Sequence, residues 1–119
     1  MFKRLFLIVS LFVAGCSNVK DEPLPVTTTS DKALEFFNEA VYHVEQGEWS
    51  EAQAKYQSAL RIDPNFVMAN LWGWSSDPIQ NRKYNETAIA NKDKVSDAER
   101  LRVEMMMAGR EGDQSGRLE

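Results

Sequence analysis

Residues 31–66, DKALEFFNEAVYHVEQGEWSEAQAKYQSALRIDPNF, carry the pattern that decides the fold. Ala33, Phe36, Phe37, Ala40, Val41 and Val44 recur at spacings of three and four, the period of one helical face. Ser30 or Asp31 can serve as N-cap, so a first helix is expected over residues 32–45. Gly47 follows; without a Cβ it reaches positive φ and ends a helix at little cost. Ser50 with Gln53 has the form of a capping box, and Ala52, Tyr56, Ala59 and Leu60 mark a second stripe over residues 51–62. Asp63-Pro64 closes the unit, because proline disfavours helix at the residue before it.

This hairpin resembles a tetratricopeptide repeat, whose unit is a helical pair of about 34 residues. With Pro64 as the family's closing proline, Phe36 takes the early aromatic site and Ala40 the small site of the first helix. Gly47 is the turn glycine, and Ala52, Tyr56 and Ala59 fill the small, aromatic and small sites of the second helix. Glu39 and His43 depart from the pattern, standing where leucine and tyrosine are usual. The resemblance implies an all-α fold of stacked hairpins forming a right-handed solenoid. It also implies a peptide groove on the first helices. Phe37, Val41 and Val44 are the residues that would line it, and their apolar character suits a hydrophobic or helical peptide rather than a clamped terminal carboxylate.

The hairpin is preceded by MFKRLFLIVSLFVAGC. Lys3 and Arg4 form a basic start, and an apolar run of about ten residues follows, the length of a signal core and too short to span a bilayer as a helix. Val13-Ala14-Gly15-Cys16 resembles the lipobox of bacterial lipoproteins. That resemblance implies a signal peptide over residues 1–15, removed on maturation, and lipidation of Cys16 with further acylation (palmitate-type chains) of the new amino terminus. Ser17, rather than aspartate, implies sorting to the periplasmic face of an outer membrane in an organism that has one. Residues 16–30 lack helical period, and Pro23 and Pro25 stiffen them, so they read as the lipidated N-terminus and a tether.

Beyond Pro64 the pattern weakens, then restarts. FVMANLWGW, residues 66–74, is too apolar for a loop and reads as the next helix. Ser75-Ser76-Asp77-Pro78 breaks it, and residues 79–92 read as a weaker helix, closing a degenerate second repeat over residues 66–95. Trp72 and Trp74 are expected to fill space between helices, in preference to forming a ligand-binding aromatic patch. Ser96 with Glu99 is a capping box opening a third unit over residues 96–119, with Ala98, Leu101, Met105 and Ala108 as its stripe and Gly109 as its end. Gly112-Asp113 then stands as Gly47-Glu48 did. With only the first helix of a third hairpin in the sequence, the chain is expected to be part of a longer repeat protein or to complete itself against another chain.

At 119 residues a single domain is expected, residues 31–119. The formal charge of −4 and the lack of a basic run speak against nucleic acid. One cysteine and one histidine leave little for disulfides, zinc sites or nucleophilic triads. The acidic pair Glu35/Glu39 reads as a solvated face, His43 as packing inside the hairpin, and residues 105–107 (three methionines) as core or interface. The expectation is a non-enzymatic protein-interaction module without cofactor or metal, anchored in the cell envelope by lipid and binding a protein or peptide. The competing expectations are a structural subunit of envelope assembly machinery and the N-terminal part of a larger protein with a catalytic or ligand-binding portion.

Overall fold

The computed structural model describes residues 26–115, which form five α-helices and one 3₁₀ turn, with no strand among the described residues. The expected signal peptide, Cys16, Ser17 and most of the tether lie outside the described residues. The helices are α1 (Asp31–Glu45), α2 (Trp49–Ile62), α3 (Val67–Trp72), α4 (Pro78–Asn91) and α5 (Asp97–Ser115), with the 3₁₀ turn Lys92–Lys94 before α5. The all-α expectation holds.

α1 and α2 form an antiparallel hairpin. Ser30 caps α1, its Oγ accepting from the Ala33 amide at 3.2 Å. Gly47 turns the chain at φ +75°, where its amide donates to Val44 O and the Glu48 amide to His43 O. α2 starts earlier than the capping-box reading placed it. Its N-cap is Glu48, with no side-chain cap, and Gln53 is used elsewhere, donating to the carbonyl of Trp74 at 3.1 Å. Ala33, Ala40, Ala52 and Ala59 are fully buried, which lets the two helix axes approach closely. Tyr56 lies between them, and burial pushes its phenol up to about 12, so it stays neutral.

α3 is shorter than expected. Its start is fixed by Asn70, whose buried amide donates to Pro64 O and Phe66 O at 2.9 and 3.0 Å. Its end is Gly73, whose amide closes on Ala69 O at 2.8 Å. A Cβ at Gly73 would stand 2.6 Å from that same carbonyl, closer than side chains allow, so glycine suits this closure of α3, and it would meet Tyr56 Cβ of α2 at an ordinary 3.4 Å. Two apolar clusters meet on α3. Met68 and Ala69 join Phe37, Tyr56, Leu60 and Phe66, whereas Val67 joins Ala88 and Val103. α4 begins with Asp77 as N-cap and Pro78 in its first turn, the Asp77 carboxylate accepting from Ile79 N at 2.9 Å.

α5 departs most from expectation. It runs through Gly109 and Gly112 to Ser115, so neither glycine ends it and no turn occurs at Gly112-Asp113. Its buried side is also different. The expected stripe of Ala98, Leu101, Met105 and Ala108 faces out, and the inner side presents Glu99 and Val103, with Met106 and Met107 packed beside them. The Ser96/Glu99 capping box does form: Ser96 N and Oγ donate to Glu99 Oε2 at 3.0 and 2.8 Å, and Glu99 N donates back to Ser96 Oγ.

The last part of the expected tether is a strap pinned to the helices. Thr27 N and Oγ1 each donate to Glu99 at 2.7 Å, and Thr28 Oγ1 donates to Asp63 Oδ2 at 2.6 Å. Val26 packs on the first cluster. The strap therefore joins the end of α2 to the start of α5. Glu99 is only 3% exposed. Burial alone would raise its pKa, but the bonds from Thr27 and Ser96 outweigh that and hold it below the ordinary 4.5.

Two outcomes follow. A carboxylate with a lowered folded pKa contributes stability above its unfolded pKa, and that stability is lost as pH falls through the folded value. Urea unfolding followed by circular dichroism will show a loss of stability between neutral pH and pH ~3 that is smaller in Glu99→Gln than in the wild type. At the hairpin, Gly47→Ala meets no steric obstacle but must hold φ +75°, which costs about 1–2 kcal/mol in the same assay.

Candidate functional site

Two surfaces are open along the helices. The first is a shallow groove of about 570 Å³ on the outer side of α1, lined by Asp31, Leu34, Glu35, Asn38, Tyr42 and neighbouring residues. Helical period sets this row, since Asp31, Glu35, Asn38 and Tyr42 stand one turn apart in succession. Tyr42 is 58% exposed, and its ring meets His43 edge-on at 5.7 Å. The rim is acidic: Glu35 pairs with Lys32 at 2.9 Å, and Glu39 pairs with Lys55 of α2. That lysine holds the Glu39 carboxyl below its ordinary range, against a smaller opposing push from burial. Glu39 is thus a half-buried hairpin clip rather than part of a solvated face, and Lys55 also lies over the Phe36 ring at 5.2 Å.

The expected groove residues lie elsewhere. Phe37 is 3% exposed, with its ring 5.0 Å from Phe66, 5.6 Å from Trp72 and 5.7 Å from Tyr56. It is sealed by α3 and offers no surface to a peptide. Val41 and Val44 are half-buried and pack on the same cluster. Phe37 is therefore core, because Phe66 and Trp72 of the second unit lie directly against it. The outer row of Asp31, Asn38 and Tyr42 went unnoticed in the sequence, where the signal was a polar and aromatic row at helical spacing. His43 keeps 23% of its side chain exposed, and its Nδ1 meets Glu48 Oε2 across the hairpin turn.

The second surface is the outer side of α5. Leu101 is 56% exposed and Met105 65% exposed, flanked by exposed Ala98 and Ala108. The charges beside this stripe are largely paired among themselves: Arg100 reaches Asp97 at 3.1 Å, and Lys92 reaches Glu104 at 3.5 Å. Of Trp72 and Trp74, neither is wholly core. Trp72 is 40% exposed, one face stacked on Phe37, with the Arg102 guanidinium 5.4 Å from the ring centre. Trp74 meets Tyr56 and Trp49 edge-on at 5.9 and 6.3 Å.

A further cleft of about 450 Å³ lies between α2 and α4, with Gln57, Arg61, Lys83 and Tyr84 among its lining. Among the described residues, no group of three or more His, Cys, Asp or Glu side chains could hold a metal ion, and no helix is long and apolar enough to cross a membrane. A comparison with family models finds no match, and comparisons with curated proteins and with solved structures find none either.

The reassignment of Phe37 is open to measurement. Phe37→Ala will lower unfolding free energy by about 3–5 kcal/mol, the cost of an aromatic cavity in a packed core. Tyr42→Ala, on the open row, will change it by no more than about 0.5 kcal/mol. A groove residue would have behaved like Tyr42.

Proposed function

We propose that this chain is a lipid-anchored interaction module of the tetratricopeptide type, holding a protein or peptide partner at the cell envelope. The observation that carries the reading is the outer side of α5, where Leu101 and Met105 stand largely in solvent with charged residues beside them. An exposed apolar row rimmed by charge marks a surface meant to be covered. The α1–α2 hairpin supports the family reading through Gly47 at φ +75° and the buried Ala40, Ala52 and Ala59 at the family's small sites.

The anchor rests on the sequence. Lys3 and Arg4, the apolar run and Val13-Ala14-Gly15-Cys16 make Cys16 the lipidated residue. Each buried acyl methylene contributes about 0.8 kcal/mol, so two or three chains hold the protein at the bilayer without other contacts. Ser17 directs it to the periplasmic face of an outer membrane. Anchoring then concentrates the module near partners in the same compartment. Mass spectrometry of the protein extracted from membranes will show a mature chain starting at acylated Cys16. A chain that retains Met1, or that starts at an unmodified Cys16, would remove the anchor.

A further inference from the structure

α2 and α4 share one spacing. Gln57, Leu60 and Arg61 on α2, and Gln80, Lys83 and Tyr84 on α4, stand at i, i+3 and i+4, so each set lies on one helical face. Both faces line the cleft of about 450 Å³ between these helices, a volume ordinary for a small-molecule site. Asn70 of α3 lines the same cleft and is only 2% exposed. Its Nδ2 donates to Pro64 O and Phe66 O, which uses both amide hydrogens and fixes which side-chain atom is the oxygen. Its Oδ1 accepts no hydrogen bond among the described residues, so a deeply buried residue offers the cleft an unused acceptor.

The charges of the cleft are also left open. On the surfaces of α1, α2 and α5, cations meet carboxylates: Lys32 meets Glu35, Lys55 meets Glu39, and Arg100 meets Asp97. Arg61 and Lys83 have no carboxylate partner among the described residues, and no Asp or Glu lines the cleft, although the chain carries a net charge of −4. Arg61 is steadied by Ser58 Oγ, to which it donates at 3.0 Å. The side-chain amides of Gln57 and Gln80 likewise have no partner among the described residues. Two cations without a carboxylate favour an anion and repel an ammonium group. The donor for Asn70 Oδ1 must then be neutral. A hydroxyl supplies it, and a hydroxyl also matches glutamine amides, which donate and accept. Half-buried Tyr84 adds a flat apolar wall.

We propose that the cleft between α2 and α4 binds a small acidic carbohydrate of the uronic acid class. Arg61 and Lys83 hold its carboxylate, and Gln57, Gln80 and Asn70 Oδ1 hold its hydroxyls. The site is separate from the outer side of α5 and does not depend on a protein partner there.

The test is a titration of the isotope-labelled full chain with glucuronate, followed by nuclear magnetic resonance and calorimetry. Saturable shifts will centre on Gln57, Arg61, Gln80 and Lys83, and the side-chain amide of Asn70 will move with them. Arg61→Gln and Lys83→Gln replace exposed side chains and leave the circular dichroism spectrum unchanged, and each will weaken binding about tenfold. Glucose, which has the hydroxyls without the carboxylate, will bind at least about tenfold more weakly than glucuronate. Equal binding of glucose would remove the role of the two cations and overturn the proposal. Equal binding of acetate or inorganic phosphate would make the cleft a bare anion site and overturn it as well. Tighter binding of a short peptide through its free carboxyl terminus would make the ligand a peptide, with the same consequence. Shifts confined to other surfaces, or no saturable shift up to about 10 mM glucuronate, would also overturn it.

Discussion

α3 is six residues long, and yet Val67, Met68, Ala69 and Asn70 are all buried. A helix this short is not stable by itself, since nucleation costs more than so few backbone bonds return. It exists because it is packed from two sides: Met68 and Ala69 face the hairpin cluster, and Val67 faces the cluster with Ala88 and Val103. Asn70 sets its start through two carbonyls, and Gly73 sets its end by closing on the Ala69 carbonyl where a Cβ would be too close. Without α3 the hairpin would expose Phe37, and α4 and α5 would lose the surface on which they meet.

The second constraint is polar. Two buried carboxylates, Asp63 and Glu99, are each satisfied by the strap at residues 27–29, and Glu99 also by Ser96. A buried carboxylate is costly unless its lone pairs find donors. Here the donors come from a segment far away in sequence, so the requirement to satisfy Glu99 also fixes how α5 meets the rest of the chain. The arrangement commits the inner side of α5 to the domain and leaves its outer side open among the described residues.

The hairpin was legible because its information is local. Ser30 and Gly47 act through neighbours within a turn or two, the alanines and Tyr56 through the adjoining helix of the same hairpin, and they do what their spacing implies. The capping pair Ser96/Glu99 was legible for the same reason. What was not legible depended on tertiary contact. Phe37 satisfies a helical period equally well as groove or as core, and only the position of α3 and Trp72 decides. In α5 the apolar residues form two stripes, and periodicity cannot say which one turns inward. Gly109 and Gly112 permit a helix end without requiring one, and α5 continues through both. The strap was hidden because threonines in a proline-bearing segment carry no sign of a partner 72 residues away.

The resulting picture is a small helical domain whose inner contacts are closed and whose outer contacts are offered. The methionines report on that division directly, because thioether oxidation follows exposure. Met68 is fully buried in the core, whereas Met105 stands on the open stripe. The most direct measurement is oxidative footprinting by mass spectrometry of the purified full chain and of the same chain in the cells that produce it. The account predicts that Met105 oxidises readily in the purified chain and is protected in the cells, with Met68 protected in both. Equal oxidation of Met105 in the two preparations would contradict it, leaving the outer side of α5 as surface that nothing covers.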